Sequence, residues 1–259
     1  MQLRGKWIEN DGSERTGDLW AWGEWEPESD LICKFNPSRG DSRHPRYLWE
    51  PHYVPKECYR GRHNTDPFIF GRRFLYSNCG QPTDSKRSLK HLDRGSVIAF
   101  GSGKAIKGKR RWTLDTVLVV RDSFRYDPLD PREALEGKVS EAFLSVTGGP
   151  LSADPKLARR PEPGGLRLYR GATPSDRVNG MFSFFPAIPA GTHSGFPRPV
   201  VDLPGKYFTP SNWQAPKGAK CERNPDELRC LWDSLVKQVH DLGLVLGTNA
   251  KLPPRRRAT

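Results

Sequence analysis

The stretch SKRSLKHLDRGSVIAFGSGKAIKGKRRWTLDTVLVVRD, residues 85–122, decides the fold class. Leu89 and Leu92 stand three apart, the spacing of a short helix. Arg94-Gly95 forms a turn. SVIAFG and WTLDTVLVV then read as two strands, rich in Val, Ile, Leu and Thr and bounded by turn residues, which predicts an antiparallel hairpin. Between them GSGKAIKGKRRW reads as a long charged loop bearing Lys104, Lys107, Lys109, Arg110 and Arg111. Such a loop can lie along a phosphate backbone and neutralise several phosphates at once. The plainer reading is a solvated loop that guards a sheet edge. GSGK is not a P-loop: Ile98 stands where GxxxxGK needs its first glycine, Ala105 replaces Ser/Thr, and no helix follows.

Downstream, Asp130 and Pro131 open PREALEGKVSEAFLSV. A capping carboxylate satisfies orphan N–H groups, and proline at the first helical position loses nothing. Leu135, Val139, Phe143 and Val146 recur at helical spacing and predict one helix, stopped by Gly148-Gly149. Residues 150–165 are rich in Pro, Gly and Arg and read as a surface loop and subdomain boundary. LRLYRGAT, GMFSFFPAI and RPVVDLP make a second β-rich part. Asn224, Pro225 and Glu227 then spell a helix start with a capping box. Leu228, Leu231, Trp232, Leu235, Val239 and Leu242 give that helix an apolar stripe, Gly243 stops it, and LVLG follows as a strand. Residues 251–259 form a basic tail. Upstream, GKWIE and GDLWAWGEW read as short aromatic strands. Pro45, Pro51 and Pro55 make the next segment extended loop or edge strand. The expected fold is α+β: a partly closed antiparallel β-barrel or mixed sheet with two or three packed helices. It forms a single globular unit over 1–250, divisible into a barrel-like part at 1–125 and a second β part with the last helix at 166–250.

The 259 residues carry 25 Gly and 24 Pro, a turn-rich composition that suits many short strands. The formal charge of +12 makes a field that attracts polyanions, nucleic acid first. No apolar run is long enough to span a membrane, and the first residues carry no secretory signal, so a cytoplasmic protein is expected. Cys33, Cys58, Cys79, Cys221 and Cys230 are odd in number and widely spaced, which argues against a disulfide framework or a zinc site. The histidines lack ligand spacing; no metal and no cofactor are expected.

HNTDPFIFGRRFLYSNCGQ, residues 63–81, crowds hydrogen-bonding side chains around aromatics. Asn64, Asp66, Asn78 and Gln81 can read the polar edge of a base, and Phe68 can stack on its face. Cys79 beside His63 would be the nucleophile alternative; turn chemistry over core aromatics is the plainest reading.

The order DPF…YSNCGQ…LKHLDRGSVIAFGSG…WTLDTVLVV, over residues 66–120, resembles the nucleotide-modification-associated domains of bacteria and phages. More distantly it is similar to EVE, PUA and ASCH barrels. Arg94-Gly95-Ser96 stands where that group usually has Gly-Asp. The resemblance implies recognition of a base, often modified or flipped, in a small barrel pocket within a nucleotide-modification or phage-defence setting. It implies no catalytic residue.

GDLWAWGEWEPES, residues 17–29, offers a wall for that pocket. If LWAWGEW is a strand, Trp20 and Trp22 share a face and Glu24 extends along it. A carboxylate there could accept from an exocyclic amine or act as a general base. Core tryptophans running into a turn are the alternative. A rival enzyme reading comes from LRLYRGATPSDRVNGMFSFFP: Arg170 and Ser183 are similar to the NAD-holding Arg and Ser of ADP-ribosyltransferases. That family's Glu-x-Glu is missing after Ser183. A third reading is a non-catalytic subunit of a larger complex.

Overall fold

The computed structural model describes residues 1–23, 25–35, 44–53, 65–77, 89–106, 109–127, 130–148, 165–191, 196–203 and 224–255, with backbone alone at 90, 104–106, 109 and 110. The fold is α+β. Four antiparallel strands close a barrel: β1 (Gln2–Ile8), β2 (Glu14–Ala21), β9 (Phe185–Pro189) and β11 (Val245–Lys251), paired in the order β1-β11-β9-β2. A second sheet runs β10-β7-β8-β5, with β6 on β7. Its strands are β5 (Leu75–Tyr76), β6 (Val97–Ile106), β7 (Lys109–Tyr126), β8 (Leu166–Gly171) and β10 (Val200–Val201). A separate ribbon pairs β3 (Ser29–Lys34) with β4 (Tyr47–Pro51).

The expected hairpin is present but longer than its apolar pattern. Ile106 pairs with Lys109, so the basic segment is strand to within two residues of the tip and not a long loop. Alternation of apolar residues stops at Gly101, but backbone pairing does not need it. On the other edge of β7, Val200 and Val201 pair with Thr113 and Trp112. Further along, β7 pairs with β8 from Val120 to Tyr126. One 18-residue strand thus serves three partners, β6, β10 and β8.

Two helical expectations are corrected. The segment around Leu89 and Leu92 is a 3-10 turn over Leu89–His91. The helix expected from Leu135 to Val146 is broken: α1 (Pro131–Leu135) ends, Gly137 takes φ 69°, Ser140 caps again, and α2 (Glu141–Phe143) runs into a π turn (Leu144–Gly148). Glycine adopts that left-handed backbone at little cost, which lets the chain turn. Leu135, Phe143 and Val146 still meet in one core. The last helix, α3 (Pro225–Asp241), starts as expected: Asn224 accepts from the Asp226 N–H at 3.0 Å, and Gly243 ends it at φ 72°.

Two apolar clusters lie on opposite faces of the barrel strands. Leu19, Ala21, Phe185 and Ala187 point into the first, with Phe68, Tyr76, Tyr169 and Phe143. Leu246 and Ile188 point into the second, covered by Trp232, Leu235 and Val239 of α3. The Trp232 indole N–H donates to the Phe182 carbonyl at 2.8 Å, so its polar atom is satisfied as its rings are buried.

Candidate functional site

A buried polar set forms where residues 65–77, the end of β7 and the π turn meet. Phe68 and Leu75 exchange both backbone hydrogen bonds at 2.8 Å, which folds the segment back on itself. The turn brings Ser77 to Asp66, whose Oδ1 accepts from the Ser77 N–H at 2.9 Å. From β7 the Tyr126 hydroxyl donates to the Ser77 carbonyl at 3.3 Å. From the π turn the Thr147 hydroxyl donates to the Thr65 carbonyl at 3.2 Å. Asp66 is 2% exposed, and Thr65 and Ser77 are as deeply buried. Burial first, and then the Asp66 charge, push the Tyr126 phenol well above the ordinary tyrosine range.

Within this set the Thr65 and Ser77 hydroxyls are buried with no hydrogen-bond partner among the described residues, as is that of Ser145 on the π turn. Each such orphan costs about 1–3 kcal/mol relative to a satisfied group. A carboxylate only accepts; hydroxyls donate and accept. Together they offer both hydrogen-bond donors and acceptors. Tyr76 stacks on Tyr169 at 5.7 Å and meets Phe100 edge-on at 5.4 Å. Tyr169 in turn donates to the Leu89 carbonyl at 2.7 Å and accepts from the Leu92 N–H at 3.1 Å, fixing the 3-10 turn.

The expected site residues scatter relative to this set. Asp66 is in it. Phe68 is fully buried between Phe70 and Phe143, each at 5.3 Å, and acts as core. β2 ends at Ala21, so Trp22 lies beyond the strand. Trp20 and Trp22 pack on the second cluster while Phe68 sits in the first, so the three rings do not share one surface. Their N–H groups are used within the chain: Trp20 donates to Gln2 at 3.2 Å and Trp22 to the Phe196 carbonyl at 3.0 Å. Glu24, Asn64, Asn78, Gln81, His63, Cys79 and Lys107 lie outside the described residues. Lys104 and Arg111 pair across the β6–β7 hairpin, and Ala105 pairs with Arg110. The exposed Arg111 is 4.0 Å from Asp202.

Arg170 and Ser183 are both engaged by the protein itself. Arg170 grips Asp122 through two hydrogen bonds of 2.5 and 3.0 Å. Ser183 is buried and accepts from the Val119 N–H at 3.0 Å. No group of three or more His, Cys, Asp or Glu among the described residues could hold a metal ion, and no described helix is long and apolar enough to cross a membrane. Ser77, Thr65, Ser145 and Tyr126 were not anticipated. Ser77 carried a signal, since it sits inside the quoted YSNCGQ; Tyr126 carried none, being 49 residues away. No family model, no curated protein and no solved structure matches the chain.

Proposed function

We propose that the protein binds nucleic acid and recognises a base, modified bases included, through the polar set of Asp66, Thr65 and Ser77. The observation that carries this reading is the pair of buried, unpartnered hydroxyls beside a buried carboxylate. A bound base edge would satisfy them and recover their desolvation cost. Asn64, Asn78 and Gln81 border the set in sequence and are proposed to extend its contacts. The formal charge of +12 supports a polyanionic partner. So does the run of basic residues Lys104, Lys107, Lys109, Arg110 and Arg111 about the hairpin tip. The resemblance of residues 66–120 to nucleotide-modification-associated domains points the same way. A reducing cytoplasm is the proposed setting, in keeping with the free thiols of Cys33 and Cys230.

The test compares single-stranded oligonucleotides that differ only in one central base, with an abasic site as reference. The wild type should bind one base at least about tenfold tighter than the abasic strand, the discrimination of one good bidentate contact. Thr65→Val with Ser77→Ala should bring that ratio toward one and leave abasic affinity unchanged. A wild-type ratio of one for every base, modified ones included, would remove base recognition.

A further inference from the structure

The β3–β4 ribbon presents an apolar face to solvent. Leu31 pairs with Trp49 and Lys34 with Tyr47, so these four side chains share one side. Leu31 is 43% exposed, Trp49 39% and Tyr47 47%, and Ile32 is exposed at the bulge between them. The opposite side is anchored. Cys33 pairs with Leu48, which is buried, and Phe35 at the ribbon's end meets the Trp20 ring at 6.1 Å. Beyond β4, Tyr53 and Arg255 tie the chain to the C-terminal segment by backbone hydrogen bonds of 3.0 and 2.9 Å. Large exposed rings on a ribbon held so firmly from behind are not explained by the core.

The two rings are side by side rather than on top of each other. Tyr47 and Trp49 are 5.8 Å apart and tilted by 43°, which leaves ring faces open to a third party. The charges are sorted as well. Lys34 stands within the aromatic face. The acidic pair of the ribbon, Asp30 and Glu50, falls on the other side. A cation set among open aromatic rings fits a partner that offers flat π faces and negative charge together. A second copy of the chain would bring two bodies of formal charge +12 into contact, and an apolar protein partner would strip water from Lys34 without replacing it.

We infer that this ribbon face is a stacking platform for unpaired bases of single-stranded nucleic acid, with Trp49 and Tyr47 as the stacking rings and Lys34 on the backbone phosphates. The inference rests on the nucleic-acid reading above and adds a second, sequence-tolerant contact remote from Asp66. Stacking of this kind reads no base edge, because every base has a π face.

The experiment uses the full chain and fluorescence anisotropy with a labelled oligothymidylate strand and a duplex of equal length. Trp49→Ala with Tyr47→Ala should weaken single-strand binding about tenfold or more and duplex binding far less. Trp49→Phe should recover most of the loss, because the ring is kept. Both rings lie on the exposed face of the ribbon, and an unchanged Tm would confirm that the variants fold. The base-to-abasic ratio of the central position should not move, since the platform is indifferent to base identity. Unchanged single-strand affinity in the double alanine variant overturns the platform and leaves the Asp66 reading standing. Loss of self-association or of a protein partner in that variant, without loss of strand binding, overturns it in favour of a protein interface. A wild type that binds no nucleic acid at all sinks both proposals.

Discussion

Tyr126 joins the buried set from a distant strand and shows how it responds to pH. Its phenol is held protonated by burial and by Asp66. The native pKa therefore lies above the unfolded one, and the native state keeps its proton longer as pH rises. Stability from this group is complete below the ordinary tyrosine value and is lost as pH climbs from there through the raised native value. Tyr126→Phe should flatten the alkaline limb of a Tm–pH profile; an alkaline limb identical to that of the wild type would contradict this. Asp176 has the opposite sign. Hydrogen bonds from Arg73 and then Arg121 hold its carboxyl below the usual range. Its contribution is present above the ordinary value of 3.8 and is lost as pH falls through the native value. The Tm difference between wild type and Asp176→Asn should be steady at neutral pH and shrink in acid. At this scale the sequence was partly legible. Asp66 stood out as a hydrogen-bonding residue among aromatics. Its partners did not, because Ser, Thr and Tyr hydroxyls become informative only when burial removes water from them.

Elements were legible where the apolar pattern and the backbone agreed. Asn224-Pro225 and Gly243 bound α3 because caps are local chemistry, needing no tertiary contact. The β6–β7 hairpin was recognised by its apolar halves, but its basic half was not, since a paired strand can carry charge on both faces at a tip. The helix at Leu135 failed for the reverse reason: the apolar spacing was real, yet one glycine redirected the chain. Gly137 sits at φ 69° with nothing near a would-be Cβ, so Gly137→Ala should cost about 1 kcal/mol through backbone strain alone, measured by denaturant unfolding. β7 offers a second test. The bulge that shifts its register between Phe100 and Gly101 leaves Asp115 buried, and burial raises its pKa despite the Arg198 ion pair at 2.7 Å. Arg198 also precedes Pro199, whose carbonyl accepts from Leu114 at 2.9 Å and seats β10. Arg198→Ala should therefore destabilise by about 3 kcal/mol, the cost of stranding a buried carboxylate. The double variant with Asp115→Asn should recover part of that loss.

The first and last strands, β1 and β11, are hydrogen-bonded neighbours, so the barrel needs both ends of the chain. That closure was foreseeable only as a class, because strand order depends on which distant edges meet. The excess positive charge should show itself in salt dependence. Replacing Lys104, Lys107, Lys109 and Arg110 by Gln should lower the slope of log K against log[salt] for duplex DNA by about 3 to 4. An unchanged slope would place the phosphate contacts elsewhere. The most direct test of base recognition by the buried set is hydrogen–deuterium exchange with and without a saturating oligonucleotide that carries the preferred base. Slowed exchange across residues 65–77, the Ser77 amide included, is expected, and it should vanish when the preferred base is replaced by an abasic site. Exchange in that segment that is indifferent to the base would contradict the proposed site.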